Sequence, residues 1–260
     1  MGELGFGACL ADDMGLGKTV QTIGMLSSLY PQTKEPSLIV MPKSLLFNWA
    51  SEFERFAPRL KVGSYYGTDR DIDKALSCQI ILTTYAIARN DIEILGNRTF
   101  HYVILDESQN IKNLNAQITR TILLLKCKHK LALSGTPVEN NLMELYSLFR
   151  FLNPAMLGTE EEFNSRYAGP VHKDNDKEAL AELRRKIFPF MLRRLKKDVL
   201  DELPDRTDQT LYVDMDDAHA RLYEQRRKKY YNMVKESISK EGVAKSQFLM
   251  LQALSELRRI

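Results

Sequence analysis

Two short segments carry residue types that together bind and cut a phosphate anhydride: Asp12-Asp13-Met14-Gly15-Leu16-Gly17-Lys18-Thr19 and Val103-Ile104-Leu105-Asp106-Glu107. Gly15 and Gly17 permit the tight turn by which a backbone points several N–H groups at one anion. Lys18 brings an ammonium for the terminal phosphates, and Thr19 brings a hydroxyl that can coordinate magnesium. A helix starting there adds the positive end of its dipole. The second segment is an apolar run ending in two carboxylates. A buried strand of that kind delivers Asp106 to a magnesium shell and Glu107 to an attacking water. A Gly-Lys-Thr triplet alone is a weak signal, and a P-loop ordinarily has a small residue where Asp12 stands. Residues 131–137, Leu-Ala-Leu-Ser-Gly-Thr-Pro, supply a third element. The three together point to a site for a nucleoside triphosphate and magnesium, with Met14, Gly15, Leu16, Gly17, Lys18, Thr19 and Val20 around the nucleotide and Thr19 and Asp106 on the metal.

The elements that must hold these residues read as alternating strands and helices over the first 150 positions, which predicts an α/β fold with a parallel sheet covered on both faces. Val20, Ile23, Leu26 and Tyr30 are spaced for a helix after the glycines. Strands are expected at 37–41, 62–66, 79–83, 102–106 and 130–134, and helices at 71–76, 86–95, 116–125 and 142–152. Ser44 is placed to cap a helix whose Leu45, Leu46, Trp49, Phe53 and Phe56 form one apolar stripe, better read as core than as a stacking platform for bases. After Asn153-Pro154 the pattern becomes helical and irregular, with breaks expected at Pro170 and Pro189. Residues 209–215 alternate as a strand should, and long charged helices follow. The reading divides the chain at 1–152, 153–205 and 206–260.

Composition narrows the class. With 260 residues, 44% hydrophobic and 27% charged, the chain can bury one large core or two smaller ones. Its apolar stretches are strand-sized, too short to span a membrane, and no leader-like segment opens it. The P-loop comes so soon after Met1 that the chain is expected to be a piece of a longer protein. Cys9, Cys78 and Cys127 fit neither a disulfide framework nor a zinc site, and His101, His129, His172 and His219 lack ligand spacing. A net charge of +3 announces no nucleic acid by itself. Residues 184–197 nevertheless carry seven basic groups and no acidic one, and Arg226-Arg227-Lys228-Lys229 adds a second run. These are either solvated helix faces or a path for a phosphate backbone.

Taken as a set, the motifs resemble the SWI/SNF-type ATPases of helicase superfamily two, which are double-stranded DNA translocases with two RecA-like lobes. The stretch 12–23 is similar to the family's first motif, including Asp at the small-residue position. Met41-Pro42-Lys43-Ser44 with Asn48-Trp49 looks like motif Ia, and Leu82-Thr83-Thr84-Tyr85 like motif Ib. Asp106 to Asn113 is similar to motif II, and 131–145 to motif III and its continuation. Residues 190–199, Phe-Met-Leu-Arg-Arg-Leu-Lys-Lys-Asp-Val, match a block between the lobes. Ser108-Gln109 stands where many members have Gly-His or Ala-His, and the wording around it looks microbial.

The resemblance implies a RecA-like first lobe (1–152), a helical insertion (153–205) and the start of a second lobe (206–260). It implies ATP hydrolysis with Lys18, Asp106, Glu107 and Gln109 as catalytic residues, and movement along duplex DNA that displaces or remodels a bound protein. Lys43, Ser44, Thr83, Thr84 and Gly135 are the implied phosphate-backbone contacts, with β-propensity as the plainer reading of the two threonines. Ser134, Gly135 and Thr136 are the implied coupling turn. The family's adenine-contacting segment and second-lobe arginines fall outside this sequence, so the chain alone is expected to have little turnover. The implied location is the bacterial cytoplasm, at the nucleoid, or a nucleus. Two rivals stay open: a P-loop kinase, and an ATPase-like scaffold without turnover.

Overall fold

A computed structural model describes residues 5–30, 32–135, 142–199 and 210–260. The chain forms two compact units, residues 1–203 and 204–260.

The first unit is built on seven strands: β1 (Ala8–Leu10), β2 (Ser37–Met41), β3 (Val62–Ser64), β4 (Ile80–Thr84), β5 (Thr99–Leu105), β6 (Lys126–Leu133) and β7 (Met191–Leu192). They lie in the order β3-β4-β2-β5-β6-β1-β7, and every pair is parallel. Parallel neighbours need a crossover between them, which helices supply. These are α1 (Lys18–Leu29), α2 (Leu46–Phe56), α3 (Ile72–Leu76), α4 (Tyr85–Asn90), α5 (Ile92–Leu95), α6 (Gln117–Ile122) and α7 (Leu142–Leu152). Central strands are apolar on both sides because both faces are covered: β2 and β4 are buried along their whole length. Ile23, Leu26, Trp49 and Phe53 pack on one face with Ile39, Leu82, Ile104 and Leu133, and Leu38, Val40, Val103 and Leu105 pack on the other with Tyr85, Ile122 and Phe151.

Several sequence expectations shift. The helix expected over 86–95 is two, because Asp91 leaves the helical conformation (φ −108°, ψ 27°) and takes hydrogen bonds from Tyr65 and Arg70. Strand β6 starts at Lys126, ahead of its apolar run, because Lys126 to Lys130 pair with β5. Pro170 opens a helix instead of ending one. The segment runs through α8 (Glu160–Phe163), a wider turn at Asn164–Ala168, α9 (Gly169–Asp174), α10 (Lys177–Ile187) and, beyond β7, α11 (Lys196–Val199). Its apolar side chains Phe163, Tyr167, Leu183 and Ile187 pack with Leu145, Tyr146 and Phe149 of α7. Strand β7 itself was not legible, since two residues give no period.

In the second unit, α12 (Asp217–Glu241) and α13 (Val243–Leu257) pair with each other. Gln209 lies outside the described residues, and the rest of the strand expected at 209–215 is irregular. Alternation alone cannot hold a strand, and this segment has no neighbouring strand among the described residues to bond to. Among the described residues, no helix is long and apolar enough to cross a membrane.

The start of the sheet is anchored by one side chain. Asn153, buried at the end of α7, accepts from the Gly7 N–H and donates to the Gly7 carbonyl, both at 3.0 Å. Asn153→Ala should lower unfolding stability by about 1–3 kcal/mol, because it strands a buried donor and a buried acceptor. Urea denaturation checks this: the midpoint should fall with little change in slope.

Candidate nucleotide-binding site

Because the strands are parallel, their carboxyl ends emerge along one edge, the place where open α/β sheets bind ligands. The loop after β1 is the P-loop, the loop after β2 carries Lys43 and Ser44, and β4 ends on Thr84. Asp106 directly follows β5, and Ser134-Gly135 directly follow β6. Five separated motifs are thereby brought to one edge by topology alone.

The P-loop has the geometry its glycines require. Gly15 and Gly17 sit at φ +88° and +74°, where an L side chain is strained, and Gly17 leads into α1. Lys18 and Thr19 are the first two residues of that helix. The Lys18 ammonium donates to the Asp12 carbonyl at 2.7 Å and the Asp13 carbonyl at 3.3 Å, folded over the concave side of its own loop. Met14 and Val20 are exposed and Leu16 is half-buried. A Cβ on Gly135 would stand 3.0 Å from the Met14 side chain and 3.9 Å from the Lys18 ammonium, so the turn after β6 abuts the P-loop. Ser134 is buried and its N–H donates to the Leu10 carbonyl at 3.1 Å. Thr136 lies outside the described residues.

Asp12 departs from the usual P-loop, and the structure explains how it is tolerated. Its side chain is fully buried. Burial pushes the carboxyl up, but hydrogen bonds from Arg194 outweigh this and hold it below the ordinary carboxylate range. The Arg194 N–H donates to Oδ1 at 2.9 Å, Nε donates to Oδ2 at 3.0 Å, and a terminal guanidinium nitrogen also bonds Oδ2. The same guanidinium bonds Gln21 of α1 at 2.5 Å. Around this pair the chain after β7 runs beside the loop. Ala11 N–H donates to Leu192 O at 2.7 Å, Asp13 N–H to Arg194 O at 3.0 Å, and Lys196 N–H to Asp13 Oδ2 at 3.0 Å. The sequence reading missed this clamp. Its only trace was the coincidence of an acid at the small-residue position with an arginine pair far downstream. Arg194 is therefore committed to a carboxylate, as is Lys186, which lies 3.7 Å from Glu182. Neither is part of an unbroken basic path.

On the second wall, Asp106 is 7% exposed. Its Oδ1 accepts the Glu107 N–H at 2.8 Å, and its Oδ2 accepts the Trp49 indole N–H at 2.7 Å. Burial raises its affinity for a proton, against the pull of the Trp49 and Glu107 N–H bonds; Glu107 adds to the rise and Lys18 opposes it. Each oxygen keeps a lone pair. A carboxylate that burial makes costly to ionise, near Lys18 and with acceptor capacity left, fits a divalent cation. Magnesium is ordinarily held by one or two carboxylates and substrate phosphates, so a single aspartate with Thr19 suffices. Glu107 adopts the left-handed conformation (φ 47°, ψ 56°), an unusual one for a side-chain-bearing residue, which turns the chain sharply out of the strand. Gln109 donates to Glu107 Oε2 at 2.6 Å and so orients the carboxylate.

The proposed DNA contacts divide. Lys43 and Ser44 are exposed, with the Lys43 ammonium 5.8 Å above the Tyr66 ring. The Thr83 hydroxyl is inside the protein, donating to the Tyr65 carbonyl at 2.8 Å, and the Thr84 hydroxyl caps α4 by accepting the Ile87 N–H at 3.3 Å. Both hydroxyls are engaged within the fold, which favours the plainer reading of these side chains. The three cysteines are free, and burial pushes the Cys9 thiol up to about 12, leaving it unreactive.

Removing the guanidinium leaves the buried Asp12 carboxylate with only the main-chain N–H of residue 194 and Gln21 as partners. Arg194→Ala is therefore expected to destabilise the first unit. The sign of its pH dependence follows from the depressed Asp12 carboxyl. The stabilisation is present above the unfolded aspartate pKa of about 3.9 and is lost as pH falls through the lower folded value. The gap between wild type and Arg194→Ala in thermal or urea unfolding should therefore be full at neutral pH and close below about pH 4. A gap that stays constant into acid would show that the pair is not what Arg194 contributes.

Comparison with known proteins agrees with the geometry. The model of the SNF2-related domain matches residues 3–260. The chain is 39% identical over 279 residues to the TATA-binding protein-associated factor MOT1 of Saccharomyces cerevisiae, covering 96% of this chain and 15% of that protein. It is 42% identical over 232 residues to the putative ATP-dependent helicase/translocase YwqA of Bacillus subtilis, covering 86% of this chain and 25% of that one. Among solved structures, the Sulfolobus solfataricus SWI2/SNF2 ATPase core in complex with double-stranded DNA superimposes with a TM-score of 0.73 at 39% identity, covering all of this chain and 55% of the other. The chain thus spans a quarter or less of these curated relatives and about half of the structural one. With the fold, the P-loop and the Asp106-Glu107 wall in agreement, the chain belongs to the SNF2-related domain family.

Proposed function

We propose that this chain is the nucleotide-holding lobe of an ATP-driven motor that moves along double-stranded DNA and displaces or remodels bound protein. The observation that carries the proposal is the convergence of the Lys18 loop, the Asp106-Glu107 turn and the Ser134-Gly135 turn on the sheet edge that also presents Lys43. The nucleotide lies along residues 14–20, with loop N–H groups and Lys18 on its phosphates. Thr19 and Asp106 hold magnesium, which when bound draws charge from the leaving phosphate. Glu107, oriented by Gln109, positions and deprotonates the attacking water. Gly135, packed on Met14 and near Lys18, is placed to pass the state of the phosphates to the following segment. Residues 206–260 are read as the start of a second lobe.

Duplex contact is assigned to Lys43 and Ser44, with Thr83 and Thr84 shaping the neighbouring strand end. Contacts to phosphates carry no sequence information, as a motor running along any duplex requires. The Sulfolobus neighbour bound to double-stranded DNA and the putative helicase/translocase of Bacillus subtilis support this substrate class. A kinase would need a second substrate pocket beside the P-loop, and a scaffold has no need of an oriented Glu107.

Glu107→Gln in the intact protein should keep ATP binding within a few-fold and lower turnover by at least about a hundredfold, since size and hydrogen bonding survive and the base does not. Parallel nucleotide-binding and phosphate-release measurements check this. Collapse of affinity along with turnover would make Glu107 a structural or metal-binding residue.

Duplex affinity should fall steeply with salt, and Lys43→Ala should weaken binding equally on unrelated sequences while reducing the salt slope by about one. A loss confined to one sequence would mean that Lys43 reads bases.

A further inference from the structure

The segment assigned to the duplex after β2 and the adjoining end of β4 are each followed by one buried side chain that bonds the same residue of the nucleotide side. Beyond Lys43 and Ser44 the chain enters α2, and Trp49, in the first turns of that helix, is completely buried and donates its indole N–H to Asp106 Oδ2 at 2.7 Å. Phe53, one turn on, holds the indole with its ring centroid 6.0 Å away. Beyond Thr83 and Thr84 the chain enters α4, whose first residue, Tyr85, is 5% exposed and donates its hydroxyl to the Asp106 carbonyl at 2.8 Å. The main chain of Asp106 is fixed as well, its N–H donating to Val40 O of β2 at 2.9 Å. Strands β4, β2 and β5 are consecutive neighbours, so three adjacent strand ends meet on one aspartate.

A buried indole N–H and a buried phenol must each find an acceptor, so a purely structural role is the plain alternative. Three features argue for more. The acceptor of the indole is the carboxylate assigned to magnesium, not a backbone carbonyl. The two donors come from the helices that follow β2 and β4, neighbouring strands whose ends adjoin. And the indole bond falls on Oδ2 itself, so a shift of Trp49 would change what that oxygen can offer.

We propose that Trp49 and Tyr85 are positioning residues that couple duplex contact at the end of β2 to the metal-holding geometry of Asp106, Trp49 through the carboxylate and Tyr85 by fixing the Asp106 main chain from the adjoining end of β4. The coupling rests on the motor reading of the preceding section. In it, duplex bound at Lys43 and Ser44 steadies the start of α2, Trp49 fixes the Asp106 carboxylate, and the metal–nucleotide complex binds more tightly. Linkage makes the effect reciprocal: the metal–nucleotide complex tightens duplex binding by the same factor.

The test titrates the protein with Mn2+, a spectroscopic substitute for magnesium, in the presence of ADP. Free Mn2+ is read by electron paramagnetic resonance, with and without a duplex of arbitrary sequence. Wild type should hold Mn2+·ADP at least about fivefold more tightly when duplex is bound, within the range typical of coupled sites. Tyr85→Phe removes only the hydroxyl. Replacing Trp49 by its benzothiophene isostere removes only the N–H and keeps the bicyclic shape, which avoids the cavity that Trp49→Ala would leave in the core. Both should stay folded, melting only a few degrees below wild type because each loses one buried hydrogen bond. The isostere should weaken Mn2+·ADP about tenfold, the lower end for a hydrogen bond to a charged group, and both should lose the duplex-induced tightening while still binding duplex. If both keep wild-type metal affinity and the full duplex effect, Trp49 and Tyr85 only satisfy core donors and the coupling is overturned. It is equally overturned if wild type binds duplex with no change in metal affinity. A wild type that binds Mn2+·ADP but no duplex at all rejects the motor reading, and the coupling with it.

Discussion

Parallel pairing is the constraint on which the rest of this molecule depends. Every strand of the first unit runs the same way, so every strand ends on the same edge, and side chains far apart in sequence arrive there without any dedicated contact. The cost is that crossovers must cover both faces, which accounts for the uninterrupted burial of β2 and β4 and for the apolar stripes of α1 and α2. Nothing polar can be placed within such strands cheaply. The chemistry is therefore confined to the first residue or two beyond them, which is where Asp12, Asp106 and Ser134 lie.

Two of those residues are buried aspartates, and the fold treats them oppositely. Asp12 receives a guanidinium, a backbone N–H and a glutamine from elements on both sides, and its carboxyl is held below the usual range. It is a charge fully met by protein, and its task is to hold the P-loop against the segment after β7. Asp106 receives only two N–H donors, and burial leaves its proton more tightly held than usual. It is a charge only half met, which is the state expected of a group that a cation is to complete. Two like residues with environments pushed apart distinguish the strut at Asp12 from the carboxylate proposed to hold magnesium at Asp106.

The clamp around Asp12 also changes what the helical segment after α7 is. Strand β7 and Arg194 attach its far end to β1 and the P-loop, while Phe163, Tyr167, Leu183 and Ile187 attach its middle to α7. The segment therefore cannot shift without moving either the phosphate loop or the helix that follows the Ser134-Gly135 turn. The seven basic residues of 184–197 are divided by this role, Arg194 being held at the surface against the buried Asp12 carboxylate.

The sequence by itself determined the chemistry and most of the scaffold. Glycines at two positive-φ positions, a lysine and threonine at the start of a helix, and an apolar run ending in Asp106-Glu107 are local patterns, each dictated by the backbone and charge it must accommodate. Apolar runs of strand length likewise announced β2 and β4. What the tertiary structure decided is everything that depends on a partner distant in the chain. Strand β7 exists because β1 offers it a parallel edge, and β6 extends into polar residues because β5 is there to bond them. The segment 210–216 alternates in vain, with no neighbour among the described residues. The sequence could not show that the Thr83 hydroxyl bonds Tyr65 or that the Thr84 hydroxyl caps α4. Asp12 and Arg194 are separated by 182 positions, and Trp49 and Asp106 by 57. No period, cap or propensity records such pairings, because the energy that selects them arises only when folding removes at least one of the groups from water and brings the other to it.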